Sequence, residues 1–494
     1  MKLIFTAIAA AHIIAASAGA DTVLDLTLTK AVRLALEKNF SIKVERFEPK
    51  IARERERSAK GRFDPDWDFA YQRGENTARE VFARDAATNR GAHFGINSIS
   101  QDATWSTGVR GVTVWGLGYD VGLSTRSRAG TVNRFDEDFT SATTFSVTQP
   151  LLRGVGADAN LAAVRIAGNN ALASEWGLRE RLMRVITDVI AVYNDLHFSK
   201  ENHDVAVRSR ELARRLLKDN IKRVEIGVMK EIDVTTAQAE VAAREEDVIT
   251  ASRAVKDQEN FLKQLITADL LQILRTEVKI VPPPAPKYAG EVIGAIAQAL
   301  EHRPDYRQAK LDLANRNIGL RFEEHQKLPR LDLRASLALN GYGDDFGTSA
   351  RRVGSRDETD WTVGAVLSIP IGNNAALGRA NAARLEVAQS LVDLQRLEQD
   401  IIVRVDNARG AILTARQRIE ATRESRRLAK ESLAAGEKRL IAGTGTVFEV
   451  LELQKKLAEA ETAALRSQSD YNKAVAQFEL ETGRTLRAHG VSIE

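Results

Sequence analysis

Two stretches of this chain follow one plan at a spacing of 216 residues. The first runs from Arg223 through Gly227 and Val228 to Gln238. The second runs from Arg439 through Leu440 and Gly443 to Gln454. Each joins two long apolar-periodic segments through a few residues centred on glycine. Glycine tolerates the positive φ that a tight reversal requires, so both read as tips of helical hairpins. Two copies of one tip predict two copies of one larger unit.

The ten prolines leave two tracts empty, one between Ala157 and Val281 and one after Ile371. Long helices fit there, because an interior proline removes a backbone donor and clashes with the preceding turn. In the first tract Leu182, Val185, Val189, Val192 and Leu196 step by an average of 3.5 residues, a coiled-coil seam. A helix from about Asp158 or Asn160 to Arg223 would be roughly 98 Å long, and a second should run from Glu231 to Ile266. In the other tract Leu391, Leu394, Leu397, Ile401, Val405, Ala408 and Ile412 keep the same step. A helix over about 375–440 and a partner over 447–483 follow.

The rest of the chain alternates between helix and strand signals. Leu26 to Asn39 reads as a helix capped by Thr27 or Thr29, and helix resumes through Ile51 to Lys60 with Pro49 as a kink or break. Trp67, Phe69 and Tyr71 then alternate with Asp66, Asp68 and Ala70, the period of a strand. Residues 72–141, rich in Gly, Asn, Ser and Thr, read as loop plus an extra hairpin over 103–127. A returning strand ends at Pro150. After a proline-rich linker at 282–287 the order recurs. Leu331 to Leu339 and Trp361 to Ile369 alternate as a second hairpin. The expected division is a leader at 1–20, a first repeat at 21–281 with a β-hairpin at 63–150 and a helical hairpin at 158–268, and a second repeat at 288–494 with a β-hairpin at 328–371 and a helical hairpin at 375–485.

Composition narrows the compartment. Lys2, the apolar run Leu3 to Ile14 and Ala18-Gly19-Ala20 have the order of a cleaved secretory signal. No cysteine is present, so the chain is suited to an oxidising compartment. No segment reaches eighteen consecutive apolar residues, which leaves a β-barrel as the route across a membrane. Lys plus Arg number 71 against 67 Asp plus Glu, intermixed, which argues against nucleic-acid binding.

Catalytic chemistry finds no support. Gly154-Val155-Gly156-Ala157-Asp158-Ala159 fits a dinucleotide fingerprint, but the helix after it is far too long for a crossover helix and no second parallel strand follows. His197 and Glu201, with His203 nearby, stand at metal-ligand spacing but read as a solvated helix face. The expectation is no catalytic residue, no metal and no cofactor.

The Leu26–Asn39 opening, Thr148-Gln149-Pro150-Leu151-Leu152, Leu367-Ser368-Ile369-Pro370-Ile371 and the two tips together resemble the TolC family of outer-membrane channel-tunnels, over essentially the whole chain after the signal. The resemblance implies a mixed fold, a membrane β-barrel joined to a long α-helical coiled-coil barrel, with two structural repeats per chain in a homotrimer. Two hairpins per chain would give four strands, and three chains a shared barrel of twelve. The implied function is passive export through the bacterial outer membrane in a tripartite efflux or type I secretion system, with a periplasmic tunnel. The partners would be a periplasmic adaptor, an inner-membrane pump and outer-membrane lipid. Arg223, Gly227, Val228, Arg439, Leu440 and Gly443 correspond to the adaptor-docking tips. Asp233, Glu449 and Glu452 correspond to the periplasmic entrance, the two glutamates as an acidic ring. Trp67 and Trp361, near opposite ends of their strands, suit membrane-interface aromatics. Gly445 replaces a basic residue that pairs with the position of Asp233 in the best-known member, so an ionic latch there lacks one partner. The competing reading, a soluble periplasmic coiled-coil scaffold or binding protein, explains the helices and leaves the hairpins with apolar faces unexplained.

Overall fold

The computed structural model describes residues 23–82, 94–131, 134–269, 276–284, 286 and 292–491. The expected signal at 1–20 lies outside them. In chain order the elements are β1 (Val23–Leu26), α1 (Leu28–Lys38), α2 (Phe40–Glu45), α3 (Glu48–Lys60), β2 (Asp66–Phe82), β3 (Phe94–Val112), β4 (Gly118–Gly130), β5 (Asp138–Pro150), α4 (Ala157–Asn160), α5 (Ala162–Glu225), α6 (Glu231–Ile266) and β6 (Glu277–Ile280). They continue with α7 (Val292–His302), α8 (Pro304–Gln326), β7 (Arg330–Gly343), α9 (Phe346–Ser355), β8 (Glu358–Ser368), α10 (Asn374–Ile441) and α11 (Val447–Glu481). Thr27 caps α1 by accepting from the Lys30 N–H at 3.2 Å. Pro49 marks a break and not a kink: α2 ends at Glu45 and Pro49 lies in the first turn of α3, where an N–H has no intrahelical partner to lose.

The chain forms two compact units. The first comprises Met1–Phe47, Trp176–Tyr306 and Leu397–Glu494. The α5 seam is its core: Leu182, Val185, Val189 and Leu196 are buried against Leu26, Ile42, Leu262, Ile266 and Val278. Each such side chain contributes about 1.5–3 kcal/mol by leaving water. A feature absent from the sequence reading is the parallel pairing of β1 with β6. Buried Tyr193 on α5 ties off this ladder, its hydroxyl lying 2.9 Å from the Leu26 carbonyl oxygen and 2.6 Å from that of Val281. Lys200 Nζ donates to the Val278 carbonyl at 2.6 Å. On α10, Ile401, Val405, Ala408 and Ile412 are buried as their spacing requires.

Two buried charge groups brace this unit. Glu259 accepts from the Val278 N–H at 3.2 Å and pairs with fully buried Lys263 at 2.7 Å. Arg303, buried at the α7–α8 junction, donates from Nη2 to Asp305 Oδ2 at 2.7 Å and pairs with Glu481 of α11. Burial pushes the Asp305 carboxyl up, but the bond and charge of Arg303 outweigh it and hold the group below its ordinary value. Glu259 is likewise held down: the Lys263 ammonium and the Val278 N–H outweigh desolvation.

The second unit comprises Glu48–Glu175 and Arg307–Arg396. Its centre is one antiparallel sheet in the order β2-β3-β4-β5-β7-β8. The extra hairpin expected over 103–127 is present as β3 and β4, whereas the loop expected over the rest of 72–141 is corrected. Most of that stretch is strand, and β3 and β4 lie inside the sheet between β2 and β5. Among the described residues the sheet therefore has six strands and not four. Their Gly-, Ser- and Thr-rich composition, which suggests loop, belongs largely to a polar sheet face that carries small side chains.

Candidate functional site: two hairpin tips and a two-faced sheet

The α5–α6 and α10–α11 tips close in the same way. Gly227 and Gly443 have φ of +75° and +74°. The Val228 N–H donates to the Arg223 carbonyl at 2.9 Å, and the Thr444 N–H to the Arg439 carbonyl at 2.9 Å. These bonds satisfy the last carbonyls of each helix while the glycine turns the chain, a Schellman-type closure. The two tips also touch, because Arg223 Nη1 donates to the Leu440 carbonyl at 3.2 Å.

The expected tip residues divide into two kinds. Val228 is exposed, as are Gly227 and Gly443. Leu440 is buried, packing with Leu216, Leu433, Val447, Val450 and Leu451. Its side chain holds the hairpin together and is not offered to a partner. Ile226, Ile441 and Phe448, which were not singled out by sequence, are more than 70% exposed at these tips. The legible signal was an apolar side chain within five residues of each turn glycine.

The expected entrance residues lie just inside the turns. Glu449 follows the N-cap Thr446, whose hydroxyl accepts from the Glu449 N–H at 3.2 Å. Its carboxylate forms an ion pair with Arg439 across the turn. Thus one expected docking residue neutralises one expected ring residue. Glu452 is half-buried one turn along. Asp233 lies in the first turn of α6, where a carboxylate favours the helix dipole.

The register of the sheet sorts its side chains onto two faces. One row pairs Trp67 with Val109, Val109 with Val121, Val121 with Phe145, Phe145 with Leu337, and Leu337 with Trp361. The two tryptophans thus share a face and a pairing row on opposite edge strands, and are 72% and 74% exposed. Phe69, Tyr71, Trp105, Leu123, Val147, Leu333, Val363 and Leu367 fall on the same face by alternation, and all are exposed. The other face is polar: Arg110 lies 3.9 Å from Asp68, Arg126 is 3.0 Å from Asp102, and Asn340 Nδ2 donates to Asp360 at 2.7 Å. Water-soluble sheets bury their apolar face, whereas this one leaves most of it open, with only α9 lying on part of it over β5 and β7. Exposed apolar area of this extent marks an interaction surface.

Gly154 and Gly156, the supposed fingerprint glycines, both have φ +88° in the turn from β5 into α4. Asn160 Nδ2 fastens that turn by donating to their carbonyl oxygens at 2.8 and 2.9 Å. No helix among the described residues is long and apolar enough to cross a membrane.

The family model described as "Outer membrane efflux protein" matches residues 116–268 and 295–484. The chain is 24% identical to the outer membrane protein TolC of Vibrio cholerae over 324 residues, covering 64% of this chain and 69% of that protein. It is similar in fold to the CmeC outer membrane channel of Campylobacter jejuni, with TM-score 0.68, 16% identity and coverage of 93% and 86%. The VceC outer membrane protein of Vibrio cholerae gives 0.67, 15%, and coverage of 92% and 96%. With a two-faced sheet and paired helical tips, and a family match over most of its length, the chain belongs to the outer membrane efflux protein family.

Proposed function

We propose that this outer-membrane efflux protein is the homotrimeric exit duct of a tripartite efflux or type I secretion system. It passes substrates passively from an inner-membrane pump and periplasmic adaptor to the exterior. The observation that carries the reading is the sheet, with one face apolar as far as the Tyr71–Trp105 row and polar beyond it at Arg73, Glu75 and Gln101, an opposite polar face and, among the described residues, an unpaired edge at β2 and at β8. Such edges invite pairing with further copies, and a closed barrel presents lipid-facing and water-facing sides of this kind. Three copies with six strands each close eighteen strands, half again the twelve of four-stranded protomers. Barrel diameter grows roughly with strand number, so this duct opens wider to the outside.

Further support comes from α10, where Leu385, Leu391, Val392 and Val403 are exposed apolar residues, although the helix buries Ile401, Val405, Ala408 and Ile412 of its seam. A second copy of the chain covers them. The docking surface comprises Arg223, Gly227, Val228, Arg439 and Gly443, extended by Ile226, Ile441 and Phe448, with Leu440 beneath it. Glu449 and Glu452 line the entrance, with Arg439 moderating the charge of Glu449. Strands in such barrels tilt by about 35–45° and stand about 4.8 Å apart. A row crossing five spacings therefore climbs roughly 15 Å, which separates Trp67 from Trp361 in depth and suits a role near the two interfaces.

Membrane fractionation with crosslinking tests this reading. The chain lacks cysteine, so single cysteines placed on β2 and β8 report edge pairing cleanly. A detergent-dependent trimer whose β2–β8 bonds join copies is expected. Recovery as a soluble monomer would overturn it.

A further inference from the structure

We infer that α9 and the sheet beneath it bind an anionic, phosphate-bearing lipid of the outer leaflet. The inference rests on reading the apolar sheet face as the lipid face. α3 and α8 lead into the sheet, and α4–α5 and α10 leave it, at the end marked by Asp66, Pro150, Arg330 and Ser368; α9 joins β7 to β8 at the opposite end. With the long helices in the periplasm, α9 is on the outer side. From Leu331 to Gly341 the apolar face of β7 spans ten residue steps. At about 3.3 Å per residue and roughly 40° of tilt this rises about 25 Å, the height of a barrel's apolar band. The helix therefore stands at headgroup level.

α9 lies against the apolar face and not the polar one. Gly341 makes room for it: a Cβ there would stand 2.2 Å from the Ser349 carbonyl oxygen. Buried Ser349 Oγ and Ser141 Oγ are 2.8 Å apart. Phe346, Ala350 and Val353 share the helix face toward the sheet and, with Phe69, Trp105 and Leu123, line an apolar cavity of about 440 Å³. The Phe346 and Trp105 ring centroids are 6.4 Å apart. Phe69 and Leu123 lie one same-face row below Trp105, toward the middle of the band, so the cavity extends in the direction an acyl chain would take.

The outward half of α9 is cationic. Arg351 and Arg352 are exposed there, and Arg356 follows at the helix end. None of the three forms an ion pair among the described residues. Arg351 donates to the Thr348 hydroxyl at 3.2 Å and Arg352 to the Tyr342 carbonyl at 2.8 Å, which positions both guanidinium groups and leaves other N–H donors free. Of the neighbouring carboxylates, Asp345 caps α9 within electrostatic reach of Arg351, Glu358 and Asp360 belong to the polar face, and Asp344 and Asp357 flank the two ends of the helix. An apolar slot below three cations at headgroup level matches one molecule with acyl chains and a phosphate.

Native mass spectrometry of the detergent-purified full chain titrated with lipid A tests the site. Retention is expected, weakened at least tenfold in Arg351→Gln/Arg352→Gln, preserved in Arg351→Lys/Arg352→Lys, and weakened by Val353→Trp, which fills the slot. Dephosphorylated lipid A should bind at least tenfold more weakly to the parent. Equal retention of the two probes, or by the double Gln variant, overturns the proposal, as does full competition by inorganic phosphate, which would mean a free-anion site. Should the Gln variant not reach the membrane, Val353→Trp and the dephosphorylated probe decide alone. Tryptophan quenching by brominated phospholipid separates the two layers of inference. Quenching without arginine-dependent retention removes only the site, whereas no quenching removes the lipid-face reading itself.

Discussion

Arg223 in the first tip reaches the backbone of the second, its Nη1 donating to the Leu440 carbonyl oxygen at 3.2 Å across 217 residues. The contact links the closing turns of both hairpins within one chain. A hydrogen bond from a charged donor contributes about 1.5–3 kcal/mol, less where water competes, and Arg223 is half-buried. Arg223→Ala is expected to speed amide exchange at 440–445 by roughly tenfold, since about 1.4 kcal/mol of local opening corresponds to that factor. The global unfolding transition should move little. Unchanged exchange in that segment would mean the two tips are held together by packing alone.

The turn glycines should matter to assembly more than to folding. Gly227→Asp or Gly443→Asp places a side chain at φ near +75°, at a cost of about 1 kcal/mol, on an exposed turn that buries little apolar area. Export should fall at least tenfold with outer-membrane levels near those of the parent. Disappearance of both variants from the membrane would make the positions structural and remove the docking reading.

Charge at the entrance can be dissected because Arg439 pairs with Glu449. Glu449→Gln with Glu452→Gln should lower cation selectivity in a planar bilayer and weaken block by a trivalent cation. Arg439→Ala should act oppositely, freeing Glu449 and raising selectivity. If neither variant changes selectivity or block, these carboxylates face away from the pore and the acidic ring must be abandoned.

Acid should loosen the first unit through Glu259 and Asp305. Both carboxyls are held below their ordinary values, after desolvation is outweighed by Lys263 and Arg303 respectively. A depressed folded pKa contributes stability that is fully present above the unfolded value, about 4, and is lost as pH falls through the folded value. The thermal transition should therefore drop below about pH 4. Lys263→Met strands a buried carboxylate and should cost about 3–5 kcal/mol at pH 7, with a smaller cost once Glu259 is protonated. A cost independent of pH would assign the effect to packing.

Strand number should set the outer width of the duct. Removing residues 94–130 deletes β3 and β4, leaving β2 free to pair antiparallel with β5. Three copies would then close twelve strands, about one third narrower. The largest poly(ethylene glycol) that enters from the external side and lowers conductance should become smaller. An unchanged size limit would show that these strands do not line the pore.

The sequence by itself determined the local elements. Proline-free tracts with a 3.5-residue step specified the long helices, since the buried seam depends only on spacing along one helix. Gly227 and Gly443 specified the tips, since positive φ is a property of a single residue. Period-two alternation around Trp67 and Trp361 specified strands with one apolar face. The tertiary structure decided everything that needs two distant segments. It placed β3 and β4 inside the sheet, because pairing register is a relation between strands and small polar side chains on a water-facing side resemble loop in composition. It joined β1 to β6 under Tyr193, because four-residue strands carry too little pattern to be read alone. It turned Leu440 into the core, paired Arg439 with Glu449 and set α9 over the apolar face, because the direction of a side chain is fixed only when the neighbouring backbone arrives.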